Sequence, residues 1–465
     1  MNDSHATSKE PRAVRHGALI AATLSAFLAP FMGSSVNVAL PAMGKAFSMS
    51  AYQLGWINMA FLLTTAALSI PFGRLGDIIG RKKIFVAGTV AYTVASAVIG
   101  FAPLGIVAIA GRSLQGLGSA MIFSTSMAIL ISVYPASERG KVLGINAAAV
   151  YLGLSSGPFV GGIITEYLGW RALFWLNIPF GAMLVAVSAY MLRGEWAEDR
   201  DAEFDRRGAA LLAVSLAATL YAFSTLPNPI GIALFSAGIA GLVGFAMVER
   251  RTRHPLIDMH LFFHNKVFAF SNLAALIHYA ATFAVTFLIS LYLQKVRGFS
   301  PHQAGFVLVS QPLIQAVLSP PAGRLSDKVP PRFVATMGMG LCCIGLVMLT
   351  FLSEQTSMYY LIGSLIVLGV GYAFFSSPNT KAIMSAVDRR VYGVASAVLG
   401  TMRQMGMTFS MGLVMMIIGL YLGDAEIDVA NVPAFVDSMD VAFSVFAAMC
   451  FGGIFASMAR GRGDG

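Results

Sequence analysis

Charged residues are scarce in this chain. Of its 465 residues, 11% are Asp, Glu, Lys or Arg and 57% are hydrophobic, and the mean hydropathy is +0.74. A soluble globular domain keeps about a quarter of its residues charged, so this composition points instead to an integral membrane protein. Cysteine is nearly absent too: Cys342, Cys343 and Cys450 all lie inside apolar runs, and two of them are adjacent. That placement suits neither a disulfide framework nor metal-ligand spacing, and the three are expected to be small core residues. Acid is missing from the middle of the long apolar runs. All 22 Asp and Glu fall in loops, tails or run ends, the nearest being Asp77 and Glu166. No nucleophile, base and orienting residue group together, and no metal-ligand cluster appears, which argues against an enzyme, a cofactor or a metal. The net charge of +9 does not call for nucleic acid, because Lys and Arg concentrate on the cytoplasmic loops of membrane proteins.

What the chain has in quantity is long apolar runs. Runs of ~18 to 28 residues, enough to cross a ~30 Å hydrocarbon core, fall at 17–41, 52–73, 84–102, 104–132, 141–165 and 172–192, then at 209–226 and 229–248, and finally at 267–293, 303–322, 333–352, 358–378, 393–420 and 441–459. That makes fourteen spans, arranged six, two and six. Lys9, Arg12 and Arg15 precede the first run in the manner of a signal peptide, but the run continues to about Leu40 without an A-x-A cleavage site, so it reads as a retained helix. With the N-terminus cytoplasmic, the great majority of the 31 Lys and Arg face inward, and the even span count puts both termini on that side. The stretch 421–440 is expected to be the longest outward loop, with Asp424, Glu426, Asp428, Asp437 and Asp440 and no Lys or Arg.

One charged pattern occurs twice. GRLGDIIGRKK, Gly73 to Lys83, lies between the second and third spans of the first set, and GRLSDKVPPR, Gly323 to Arg332, lies between the second and third spans of the last. The chain therefore reads as all-α, with two pseudo-symmetric six-helix bundles around a two-helix insert. The segments are a cytoplasmic tail at 1–16, a first bundle at 17–192, linkers with the insert at 193–266, a second bundle at 267–459 and a tail at 460–465. Duplicated halves around a site at the membrane midplane are the architecture of many secondary transporters.

Several motifs carry a family resemblance. GRLGDIIGRKK, RSLQGLGSA (Arg112 to Ala120), GLSSGPFVGG (Gly153 to Gly162), GWRALFWLNIPFG, LYLQKVRGFSPHQAG and TMRQMG together resemble the signatures of the major facilitator superfamily, in particular its fourteen-helix drug:proton antiporter-2 group. The resemblance extends from about Asn37 to Met405. It implies an alternating-access transporter, a conformational gate at Gly73, Asp77, Gly80, Arg81, Gly323 and Asp327, and an antiporter motif at Gly153, Gly157, Pro158, Gly161 and Gly162. In one respect the chain departs from that group, whose members usually carry an Asp in helix 1 five residues before the Asn of VNVALP; here the position is Met32.

The motifs also make physical sense unaided. Glycine permits a tight turn between the second and third spans, Arg81, Lys82 and Lys83 anchor the cytoplasmic face, and Asp77 has Arg81 or a helix N-terminus of the other half as partners. In the second copy Pro330 and Pro331 replace the Gly-Arg end, so its latch is expected to be weaker. Gly153, Gly157 and Gly161 share one helical face that admits another helix closely, and Pro158 favours a kink. Polar residues inside spans are costly and face the bundle interior. On that ground Asn37, Arg112, Gln115, His278, Gln311, Gln315, Asn379 and Arg403 are candidates for the substrate cavity. For each Asn, Gln or His the plainer alternative is an interhelical hydrogen bond or a satisfied core position. The two arginines cannot be neutralised, so each needs a partner, whether carbonyls, amides, water or a bound anion.

The resemblance, with its GPFVGG motif, implies export of a small organic, amphiphilic compound across a cytoplasmic membrane, and the expected protein is a monomer that has a small-molecule substrate and the lipid bilayer as its partners. Two other readings are a flippase-like protein moving lipids or amphiphiles between leaflets and a non-transporting membrane sensor. The 33 Phe, with methionines crowded at 402–416, would suit an adaptable apolar cavity.

Overall fold

The computed structural model describes residues 11–460, apart from 198, 200, 201, 251, 253–255, 257–264 and 388–391. The first half consists of α1 (Arg12–Phe47), α2 (Ala51–Ile79), α3 (Arg81–Gly100), α4 (Gly105–Val133), α5 (Ala136–Tyr167) and α6 (Arg171–Tyr190). The insert is α7 (Arg206–Thr225) and α8 (Pro229–Glu249). The second half begins with α9 (Lys266–Thr282) and α10 (Val285–Leu291), followed by a single π turn (Tyr292–Val296). It continues through α11 (Pro301–Leu308), α12 (Ser310–Lys328), α13 (Pro331–Thr350), α14 (Met358–Ser385), α15 (Tyr392–Leu422) and α16 (Val432–Met458).

Among the described residues, thirteen helical segments have the length and apolar composition to cross a membrane. The α11–α12 pair, interrupted only at Val309, fills the remaining place between α10 and α13, completing a set of fourteen. The backbone forces this outcome: in hydrocarbon every N–H and C=O must be satisfied within the segment, and a helix does that.

Packing repeats between the halves. In the first, α1 packs on α5, α2 on α4, and α3 on both α4 and α6; in the second, α9 packs on α15, α12 on α14, and α13 on both α14 and α16. Each helix of the first list has its counterpart eight spans on, six for the bundle and two for the insert, so the duplication visible in the charged motifs extends to the whole bundle. The insert lies to one side, with α7 against α2 and α15. Small clusters such as Leu212, Leu216 and Phe245 of the insert meet Ile70 and Met405 there. Cys342 and Cys450 are buried, Cys343 is half-buried, and all three are free thiols.

Two loops are shorter than the apolar runs suggest. Helix α2 continues through Gly73, Gly76 and Asp77 to Ile79, so the turn into α3 is Gly80 alone, at φ 120°, a conformation that favours glycine. The stretch 421–440 is mostly helical as well: α15 ends at Leu422 and α16 starts at Val432, leaving 423–431 as loop and placing Asp437 and Asp440 on a helix. Apolar-run boundaries mark where charge begins, and a helix runs on past that point as long as its backbone bonds continue.

Candidate functional site

In the first half, the arginine and amide side chains around Arg112 bond one another, while the Tyr92 and Ser119 hydroxyls have no partner. Arg112 of α4 is 2% exposed. Its Nε donates to the Ile57 carbonyl of α2 at 2.9 Å and its Nη1 to Gln115 Oε1 at 2.5 Å, and the guanidinium lies 4.4 Å from the centre of the Phe61 ring. Gln115 Nε2 donates in turn to Ser96 Oγ of α3 at 2.8 Å. Asn58 Nδ2 donates to Asn37 Oδ1 at 2.6 Å, joining α2 to α1. The cation is thus shared among a carbonyl, an amide and an aromatic face, which is how a buried arginine without a carboxylate is satisfied. Met32, at the position where the resembling group carries Asp, is 1% exposed in the apolar core.

The second half is different. His278 of α9 is fully buried, stacked on Phe375 at 4.1 Å between ring centroids and flanked by Tyr372 at 4.8 Å and Tyr279 at 5.3 Å. Neither ring nitrogen has a hydrogen-bond partner. Arg403 of α15 is half-buried; one Nη donates to Thr380 Oγ1 at 2.9 Å and the guanidinium lies 5.6 Å from the Tyr279 ring, while Nε has no partner. Asn379 donates to the Ser271 carbonyl at 3.2 Å and Asn272 to the Phe268 carbonyl at 2.9 Å, leaving both Oδ1 atoms and the Ser271 hydroxyl unpartnered. Buried polar atoms are nearly always paired, so a group of them left open on α9, α14 and α15 marks a place where water or a ligand bonds. Gln311 and Gln315 lie on α12: the first is half-buried with its carbonyl against Gly369, and the second is buried. Tyr279, Tyr372, Ser271 and Thr380 were invisible to a search for charged or amide residues within spans; their signal is proximity across helices.

At the face where α1 begins, the two charged motifs take different partners. Arg81 bonds Asp77 through Nε at 2.8 Å and Ser132 of α4 through Nη1 at 2.7 Å. The linker after α6 is bound onto this corner. Glu195 accepts from the Lys82 N–H at 2.8 Å, the Arg81 N–H donates to the Trp196 carbonyl at 2.9 Å, and Arg74 pairs with Asp199 at 2.7 Å. A Cβ on Gly80 would overlap the Glu195 carboxylate. In the second copy Asp327 pairs instead with Lys381 of α14, and Gly323 packs against Ser377 of the same helix.

The antiporter motif divides by face. Gly153, Gly157 and Gly161 leave room for α1 at Phe27, Ser34 and Ser35, where Ser35 Oγ donates to the Gly157 carbonyl at 2.9 Å. Gly162 faces the other half, with no room for a Cβ beside the Pro301 carbonyl, and Gly305 of α11 reciprocates against the Pro158 carbonyl. Among the described residues, the hydrogen bonds between halves lie toward the face opposite the one where α1 begins. Ser290 donates to the Asn37 carbonyl at 2.7 Å, Gln294 to the Val38 carbonyl at 3.0 Å, and Ser155 to the Pro312 carbonyl at 3.0 Å.

Two bundles related by a repeat, polar groups inside them and contacts between them gathered at one face define a multi-pass membrane transporter. The Major Facilitator Superfamily model matches residues 22–411 and 271–462, and the chain belongs to that family. It is 29% identical over 443 residues to the riboflavin transporter RibZ of Clostridioides difficile (strain 630), covering 95% of this chain and 96% of that one. It is 29% identical over 412 residues to the multidrug resistance protein Stp of Mycobacterium tuberculosis (strain ATCC 25618 / H37Rv), covering 87% and 76%. Among solved structures, a bacterial homolog of the human lysosomal transporter Spinster, inward-facing and unoccupied, superposes with a TM-score of 0.65 at 16% identity, covering 97% of this chain and 98% of that one. The fold is therefore that of a transporter, and the chain is not an enzyme.

Proposed function

We propose that this transporter exports a small, carbonyl-rich or anionic organic compound by alternating access, with both termini cytoplasmic, and that the second half supplies most of the polar contacts to the substrate. One observation carries the reading: the charged and amide side chains of the Arg112 cluster bond one another, whereas charged, imidazole and amide atoms are left open around Arg403, His278, Asn379 and Asn272. Arg403 Nε needs an acceptor, and the two Asn Oδ1 atoms need donors. A planar molecule with carbonyl and N–H groups on its rim meets both needs, and Phe375, Tyr279 and Tyr372 supply aromatic faces nearby. The kinship to a riboflavin transporter and to a multidrug resistance protein supports transport of a small organic compound. The absence of acid from the span cores argues against lipophilic cations.

Transport assays in inside-out vesicles with riboflavin, an anionic fluorescein-class dye and tetraphenylphosphonium test this. Uptake of either of the first two, lost in Arg403→Ala at equal protein level, is the expected result. Robust uptake of tetraphenylphosphonium that is indifferent to Arg403→Ala would refute the substrate class, and movement of labelled lipid with no dye uptake would replace export by leaflet flipping.

A further inference from the structure

Glu166, at the last turn of α5, is an acidic residue to which the transporter reading gives no role. Its carboxylate crosses from the first half to the second. Oε2 accepts from Ser300 Oγ at 2.6 Å and from the His302 main-chain N–H at 3.0 Å. Both donors belong to the start of α11, and a full account of that helix's first turn shows what the carboxylate contributes. Pro301 has no N–H. The Gln303 N–H goes to Ser300 Oγ at 3.4 Å and the Ala304 N–H to the Ser300 carbonyl at 2.9 Å, so these are satisfied within the half. The His302 N–H is the remaining donor, and its acceptor comes from the other half.

The surrounding backbone holds this contact in register. One turn before Glu166, Gly162 lies directly against the Pro301 carbonyl, and a turn into α11, Gly305 lies against the Pro158 carbonyl. Phe159 packs on the His302 and Phe306 rings at 5.7 and 6.4 Å between centroids. The carboxylate therefore meets the positive end of the α11 dipole only while the two halves touch along this seam.

We propose that Glu166 is a latch between the halves, its carboxylate capping α11 and biasing the transporter toward the state in which this face is closed. Separation along the seam removes the only non-water acceptor of the His302 N–H described in the structure and leaves the exposed carboxylate to water alone, so the latch acts on the equilibrium between states and not on the fold of either half.

The test is a distance measurement across the seam. Leu168 and Tyr359 are 71% and 89% exposed, one on each half. Spin labels at Leu168→Cys and Tyr359→Cys, in full-length protein with the native cysteines replaced and reconstituted in nanodiscs, report the separation. Glu166→Ala is expected to raise the ratio of long-distance to short-distance populations by about two- to fivefold, the range for an acid at an exposed helix N-terminus. Glu166→Gln, which keeps an acceptor oxygen but loses the charge, is expected to lie between Ala and the native residue. An unchanged distribution in Glu166→Ala overturns the proposal. So does an unchanged distribution accompanied by a lower melting temperature, which would show a helix cap with no bearing on the seam.

Discussion

Arg112 and Arg403 are indistinguishable by the rule that marks cations inside apolar runs, yet their surroundings set them apart. Arg112 is held by the Ile57 carbonyl, Gln115 and the Phe61 face, and bridges α4 to α2. Truncating it strands Gln115 Oε1, at a cost of about 1–3 kcal/mol, and removes the added bond to the Ile57 carbonyl, so Arg112→Ala is expected to lower the melting temperature in detergent and the folded yield. Arg112→Met combined with Gln115→Leu, which removes both sides of the bond, is expected to recover part of that loss. Arg403 keeps one bond, to Thr380, and an open Nε, so Arg403→Ala is expected to leave stability within about 1 kcal/mol of native while transport fails. Equal melting losses in the two alanine variants would erase the distinction. A third residue tests the gate that the sequence motif suggests: Asp77→Asn keeps the shape but weakens the tie to Arg81. A coupling of ~1.4 kcal/mol shifts a two-state balance tenfold, so transport is expected to fall at matched protein levels.

At the scale of elements, the segment after α6 is more than a connection to the insert. Through Glu195, Trp196 and Asp199 it is tied to Arg74, Arg81 and Lys82 at the α2–α3 corner. Glu195→Ala with Asp199→Ala removes two of these ties, and trypsin is then expected to cut at Arg193, Arg206 or Arg207 several times faster than in the native protein; unchanged cleavage would show that the main-chain bonds alone hold the segment. Helix α5 illustrates how one element serves two surfaces, with glycines four apart facing α1 and Gly162 facing α11. The period of the glycines was readable as a close-packing face. Which helix occupied that face was not, because a helical period names a side of a helix and says nothing of its neighbour.

For the whole molecule, the expected arrangement in the bilayer is fourteen spans with both termini inside. Val429 is 94% exposed on the loop between α15 and α16, whereas Ser438, which the apolar runs place in a loop, is 1% exposed on α16. A cysteine at Val429, on a background without Cys342, Cys343 and Cys450, is expected to react with an impermeant maleimide added to intact cells. One at Glu203, in the exposed linker before α7, is expected to react only after lysis, and the opposite pattern would invert the topology. The distribution of Lys and Arg motivates the expected sidedness.

Class, span number and the presence of a repeat were determined by the sequence alone, because the bilayer acts on each segment separately: a run either is apolar over ~20 residues or is not, and a duplicated motif needs no partner to be seen. Tertiary structure decided which arginine is braced and which is open, which face of α5 meets which half, and that Glu166 reaches Ser300, 134 residues away along the chain. These outcomes depend on which helices become neighbours. A hydrogen bond across an interface is a property of two surfaces brought within about 3 Å, and the residues of either surface, read singly, carry no record of the other.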